Sequence, residues 1–312
     1  MPKSVGTAPG KAILFGEHAV VYGQPAIAVP VNQVRAVAEI EPDPKAGTVV
    51  IDLADLGQRL RLDELAPDHP LAAILLISFR ALGLPSPPPI NLTVHSTIPM
   101  ASGLGSGAAV STAIVRALCE YTGVPLDGQS ISNLVYEVEK IHHGTPSGID
   151  NTVVALGRPV YFVRGRPIEL LEVKRPFALA IGDTGVASPT RVAVGAVREA
   201  WEREPERLEN EFGAIGQIVR QARAAIESGA VERLGPLMNA NQAHLTALGV
   251  SSPELDRLIA ASLSAGAGGA KLSGGGRGGN MIALVDERSA GPVRQALLAA
   301  GARGIIVTRV GG

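Results

Sequence analysis

Three glycines spaced two apart, Gly103, Gly105 and Gly107, lie in the run Pro99-Met-Ala-Ser-Gly-Leu-Gly-Ser-Gly-Ala-Ala109, directly ahead of an apolar segment of helical period. Val110, Ile114, Val115 and Leu118 recur at the spacing of one helix face, so the turn opens into a helix over residues 108–121. This combination restricts the backbone more than any other stretch of the chain. Residues without a Cβ let several N–H groups converge on one point, and the hydroxyls of Ser102 and Ser106 add donors. The positive end of the helix dipole then lies behind them. Such a turn is an anion cradle made of backbone, and phosphate is the anion it suits. A P-loop is excluded: Gly6 to Lys11 comes nearest, but its spacing is wrong and Ala12 stands where a hydroxyl belongs.

A second glycine cluster, Lys271-Leu-Ser-Gly-Gly-Gly-Arg-Gly-Gly-Asn280, contains a formal GxGxxG match at Gly274, Gly276 and Gly279. A dinucleotide site needs a helix directly after those glycines, whereas residues 281–286 read as a strand, so hydride transfer is disfavoured. The cluster reads instead as a tight turn that closes over a site. Two carboxylates flank another turn rich in Pro and Gly: Glu139 near the end of a helix, and Asp150 after His143-Gly-Thr-Pro-Ser-Gly-Ile. Their irregular spacing lets one serve a metal ion and the other an acceptor hydroxyl. His142 and His143 are adjacent and diverge, with no third ligand spaced to join them. Lys11 opens a buried-looking strand, where a lysine is costly unless paired.

The rest of the chain reads as alternating strands and helices without regular βαβ repetition, which favours an α+β fold over a doubly wound parallel sheet. Strands are expected at 11–15, 26–30, 34–40, 49–53, 91–95, 160–163, 177–181, 269–273, 281–286 and 304–310. Helices are expected at 70–82, 108–121, 130–141, 152–156 and 289–300, with residues 190–265 almost wholly helical. The texture changes near residue 175, giving an N-terminal domain over 1–175 and a C-terminal domain over 176–312. A formal net charge of -1 carries no basic stripe for nucleic acid and no polybasic segment for a membrane surface, so the partner is a small molecule. With Cys119 as the only cysteine, no intramolecular disulfide forms and a cytoplasmic setting is expected. The start of the chain carries no secretory signal pattern, and the apolar run near 71–79 is too short to span a bilayer. The sequence leaves the chain free to act alone or as a homodimer.

Taken together, these motifs resemble the superfamily of galactokinase, homoserine kinase, mevalonate kinase and phosphomevalonate kinase, with three motif regions in order at the start, middle and end of the chain. Within it, Pro9-Gly-Lys-Ala-Ile-Leu-Phe-Gly-Glu-His-Ala-Val-Val-Tyr-Gly23 and His143-Gly-Thr-Pro-Ser-Gly-Ile-Asp-Asn151 are most similar to the mevalonate kinase family. The resemblance implies an N-terminal domain like ribosomal protein S5 domain 2, a ferredoxin-like C-terminal domain and a site in the cleft between them. It implies ATP and mevalonate as substrates, Mg²⁺ as cofactor, and a place in the mevalonate route to isoprenoids. Asp150 matches the family's proposed catalytic base and Lys11 the lysine paired with it. Glu139 matches the magnesium-binding glutamate. Pro99, Ala101, Ser102, Gly103, Leu104, Gly105, Ser106, Gly107 and Ala108 form the ATP turn. Glu17, His18, Thr190 and Gly276 fall where family members contact substrate or order the site.

Two departures stand out. The family's central motif carries a metal-binding serine where this chain has Gly107, so water, Ser106 or Ser111 takes its place. The third motif has Arg277 where glycine is common and Asn280 where cysteine is common. Competing readings are a related kinase or decarboxylase acting on phosphomevalonate or the 3-hydroxyl of mevalonate, and a sensor that binds ATP and a small ligand without catalysis. The presence of Lys11, Glu139 and Asp150 argues against the sensor.

Overall fold

The computed structural model describes residues 3–99, 102–143, 146–188 and 190–311. The chain forms two compact units from interleaved stretches: Met1–Gly10, Val34–Pro99 and Gly105–Gly157 make the first, and Lys11–Gln33, Met100–Leu104 and Arg158–Gly312 the second. Strands β1 (Ser4–Phe15) and β2 (Ala26–Pro42) each contribute to both.

In the first unit β3 (Val49–Leu53) and β4 (Gln58–Arg61) form a hairpin with Ile51 opposite Leu60. β3 also runs parallel to β5 (Ile90–Ser96), placing Ile51 beside Leu92, and β5 pairs antiparallel with β2, Val94 opposite Ala38. A parallel pair needs a crossover. Helix α1 (Pro70–Ala81) lies within it, starting at a proline and buried through Leu71, Ile74, Leu75 and Phe79. Helices α2 (Ser106–Thr122), α3 (Gly128–His143) and α4 (Ile149–Leu156) pack on one another, and α2 also on β5. Gly6 sets how close α2 comes to β1: a Cβ there would overlap Ala113 O and Ala117 N in the helix backbone. Arg116 of α2 donates to Thr7 O at 2.5 Å and to Ala155 O at 2.9 Å, tying α2 to β1 and to the end of α4.

In the second unit β6 (Val160–Phe162) pairs with the first part of β2, Tyr161 opposite Ile27, and with the short β7 (Glu169–Leu170). There follow β8 (Phe177–Asp183), α5 (Thr190–Arg203), α6 (Pro205–Ser228), α7 (Leu234–Ala247), α8 (Pro253–Ser264), β9 (Gly269–Ser273), β10 (Asn280–Val285), α9 (Ala290–Ala299) and β11 (Gly304–Val310). The last four-stranded sheet has the order β11-β8-β10-β9 and is antiparallel throughout. Its outer strands are thus the last and the second of the four in sequence, the arrangement of a ferredoxin-like unit. Edge strand β9 is not left open. Asn239 Oδ1 and Gln242 Oε1 of α7 accept from Ala270 N and Leu272 N, both at 2.9 Å, so side-chain amides complete the ladder. Gly235 permits this approach, because a Cβ there would overlap Gly268 O.

The stretches expected as separate strands at 26–30 and 34–40 are one strand, β2. Pro30 falls between the residues paired with β6 and those paired with β5, and β1 pairs with β2 as well. Among the described residues, no helix is long and apolar enough to cross a membrane.

Candidate active site

In the first unit, α2 starts after Gly105, whose φ of 75° belongs to the left-handed region, and this N-cap glycine has no side chain to cap the first turn. Gly107 in that turn is exposed, and a Cβ there would lie 3.5 Å from Oε1 of Glu139. Glu139 reaches this place from the last turn of α3, whose Val135 and Val138 are buried while Glu139 is half-buried. Asp150, also half-buried, lies in the first turn of α4 after Gly148, which turns the chain with φ 89°. Asn151 Nδ2 donates to Ser132 O at 3.1 Å and to Ser132 Oγ at 2.9 Å, fixing the start of α4 on α3. The first unit therefore holds the open end of α2 and the Glu139 carboxylate as neighbours, with Asp150 on a helix anchored to the one that carries Glu139.

The second unit gathers pieces of three separated motifs. Lys11 N donates to Leu104 O at 2.9 Å, so strand β1 holds the first part of the glycine-rich turn. Asn280 Nδ2 donates to Ser102 O at 2.5 Å, and a Cβ at Gly279 would come within 3.1 Å of that same oxygen. Ser273 Oγ accepts from Ile13 N at 3.1 Å and donates to Ile13 O at 2.9 Å. Lys271 donates to Glu17 Oε1, and both side chains are wholly buried. The turn after Glu17 is held from its other side: Tyr22 stacks on Phe212 of α6 at 4.1 Å and lies 5.6 Å from Trp201 of α5.

His18 has a φ of 59°, in the left-handed region, and its ring is buried. Its Nε2 lies 2.9 Å from Gly275 O, and because a carbonyl only accepts, Nε2 carries the proton. Burial, with the Arg277 charge acting the same way and against the Gly275 bond, lowers the His18 pKa to about 4, so the imidazole is neutral at physiological pH. Burial likewise pushes the Glu17 carboxyl up and the Lys271 ammonium down, while their mutual attraction opposes both shifts and the charge of Lys11 favours ionised Glu17.

Of the residues singled out by sequence, Ser102, Leu104 and Ala108 are buried, and Gly103, Gly105 and Ser106 half-buried. Pro99 is exposed, and Ala101 lies outside the described residues. Thr190 opens α5. Lys11 is buried, at 3% exposure. Gly276, with φ 76°, is pressed against Val250, whose oxygen also accepts from Arg277 N at 2.7 Å. The Arg277 side chain is exposed, with Nε 3.3 Å from Gly249 O. Lys271 and Ser273 escaped the sequence reading as site residues. A signal was there for Lys271, a lysine between Ala270 and Leu272 in a short apolar strand, the same anomaly that marks Lys11.

An uncapped helix start with a carboxylate beside it, in a chain that also carries a ferredoxin-like unit, defines a class: small-molecule kinases that hold nucleotide phosphates on backbone. The family models described as GHMP kinases N terminal domain and GHMP kinases C terminal match residues 69–158 and 222–303. The chain belongs to the GHMP kinase family of ATP-dependent kinases, in its mevalonate kinase branch. It is 36% identical over 303 residues to the mevalonate kinase of Pyrococcus furiosus, covering 92% of this chain and 90% of that protein. It is 35% identical over 289 residues to the mevalonate kinase of Aeropyrum pernix, covering 90% of this chain and 88% of that one. Among solved structures, the L. major mevalonate kinase in complex with R-mevalonate matches with a TM-score of 0.84 at 28% identity, covering 100% of this chain and 96% of that one. The Methanococcus jannaschii mevalonate kinase shares the fold at a TM-score of 0.87 and 24% identity, covering 100% and 99%.

Proposed function

We propose that this chain transfers the terminal phosphoryl group of ATP to the C5 hydroxyl of (R)-mevalonate, giving 5-phosphomevalonate. The observation that carries the reading is the Glu139 carboxylate beside the uncapped first turn of α2. Phosphoryl transfer asks a protein for positioning and charge neutralisation rather than covalent chemistry, and an uncapped helix start offers both to a phosphate. Among the described residues, no three His, Cys, Asp or Glu side chains gather to form a metal cage. A single carboxylate facing a position with no side chain fits a hard cation that keeps waters and takes further oxygens from phosphate. Glu139 and Ser106 would hold Mg²⁺, which would supply positive charge to offset that of the phosphates.

The chain's own groups do the rest. The turn from Pro99 to Ala108 holds the nucleotide phosphates, and Asp150 orients the acceptor hydroxyl and takes up its proton. Lys11 balances charge on the transferring group. Glu17, His18, Thr190 and Gly276 contact the acceptor or order the site around it. We assign the enzyme to the cytoplasm, with the lone, half-buried Cys119 in keeping with a reducing compartment.

An ADP-release assay offering mevalonate, 5-phosphomevalonate, galactose and homoserine with Mg-ATP tests the reading. Mevalonate is the expected acceptor, and its failure to turn over while another acceptor does would move the chain to a sister activity. Turnover of none would favour the sensor. Asp150→Asn is expected to lower kcat at least about 100-fold while ATP affinity stays within about 3-fold, the signature of a lost acid–base group. Near-normal turnover in that variant removes Asp150 from the role.

A further inference from the structure

Strand β9 presents Lys271 and Ser273 on one face and Ala270 and Leu272 on the other, as strand alternation requires. The first face, extended to Gly275, meets the N-terminal motif at three successive points. Lys271 bonds Glu17, Ser273 brackets Ile13 through both its N and its O, and Gly275 O accepts from His18. Lys271 Nζ also donates to Leu272 O at 2.6 Å. The side chains of Lys271 and Glu17 are 0% exposed, and the second carboxylate oxygen, Glu17 Oε2, is buried without a hydrogen-bond partner among the described residues.

A buried ion pair is a poor device for stability alone, because packed apolar side chains of similar volume often do as well or better. Its particular property is direction. A carboxylate held by one ammonium stays in one place, and here that carboxylate precedes His18, which has a left-handed backbone and a proton-bearing Nε2 bound to Gly275 O, two residues past β9. Six residues before Glu17 on the same segment, Lys11 is buried and close enough for its charge to act on the Glu17 carboxylate.

We propose that Lys271 is a positioning residue for phosphoryl transfer: by anchoring Glu17 it holds the His18 turn and the end of β1 that carries Lys11 in the geometry that turnover requires. The proposal rests on the kinase reading above, and its test separates the two. Three variants are measured for thermal midpoint, kcat and KM on the acceptor that the wild type uses. Lys271→Met leaves Glu17 buried without its cation and is expected to lose both soluble yield and turnover. The double variant Glu17→Gln with Lys271→Met removes both charges together. It is expected to return within a few degrees of the wild-type midpoint while kcat stays at least about 30-fold down and KM for ATP changes less than about 3-fold. Glu17→Asp keeps both charges but shortens the reach by one methylene, and it should fold while losing at least about 10-fold in kcat.

A double variant that recovers both midpoint and kcat shows the pair to be structural only and overturns the proposal. If the double variant does not fold, Glu17→Asp decides: wild-type kcat there overturns it equally. A wild type that turns over none of the four acceptors counts against the kinase reading instead.

Discussion

Gly107→Ser is the most direct probe of the metal side of the site. Gly107 is exposed in the first turn of α2, and its φ is not in the left-handed region, so a side chain adds no backbone strain. Among the described residues, the one atom an added Cβ meets is Glu139 Oε1 at 3.5 Å, an ordinary van der Waals separation. The substitution is therefore sterically free, and helix propensity favours serine over glycine by about 0.5 kcal/mol. Its hydroxyl extends toward the carboxylate assigned to Mg²⁺. One further oxygen on a charged partner contributes about 1.5 kcal/mol, equivalent to about a tenfold lower Mg²⁺ concentration for half-maximal rate. Gly107→Ala is the control, since it carries the propensity gain without the hydroxyl. Initial rates against free Mg²⁺ at fixed ATP give the midpoint, and Mn²⁺ binding followed by electron paramagnetic resonance reads the same site without turnover. Serine and alanine variants with equal midpoints would refute the reasoning. So would a raised midpoint in the serine variant, which would mean that the hydroxyl pairs with Glu139 at the expense of the cation.

Two further outcomes follow from the second unit. Gly276→Ala places a Cβ in the left-handed region and into Val250 O, so at least about 3 kcal/mol should be lost in urea unfolding; a loss under about 1 kcal/mol would show that the loop gives way easily. Because the folded His18 pKa, about 4, lies below its unfolded value, the unfolded chain binds the extra proton first as pH falls. Its contribution is thus fully present above about pH 6.5 and is lost on descending toward pH 4, by about 3 kcal/mol in total. His18→Asn should flatten that part of the stability profile, and an unchanged profile would assign the acid loss to other groups.

What could be read from sequence follows the reach of the forces involved. Strands β3, β9 and β11 stand where their alternation and bounding glycines put them, because a period of two and a chain reversal are local properties. β4 and β7 went unread: Gln58-Arg-Leu-Arg61 and Glu169-Leu170 are short, polar and at sheet margins, and pairing makes them strands rather than composition. Residues 11–33 group by contact with the C-terminal half of the chain, a grouping that packing sets and local pattern does not report.

The site divides in the same way. The glycine-rich turn advertises itself, because its backbone demands are met by residue type alone. Glu139 and Asp150 were visible as acids at a turn, but the meeting of Glu139 with Gly107 depends on how α2 and α3 pack, which no spacing reports. The Glu17–Lys271 pair lies furthest from local reasoning, its members being 254 positions apart. Yet half of it was written in the chain. A lysine between Ala270 and Leu272 cannot be buried without a partner of opposite charge, so the strand itself announces that an acid must come to it. Only the fold says which acid. Since Ser273 and Gly275 bind Ile13 and His18 on either side of Glu17, the register of one strand against another makes that choice, and slipping it by one residue would turn Lys271 away from Glu17 altogether.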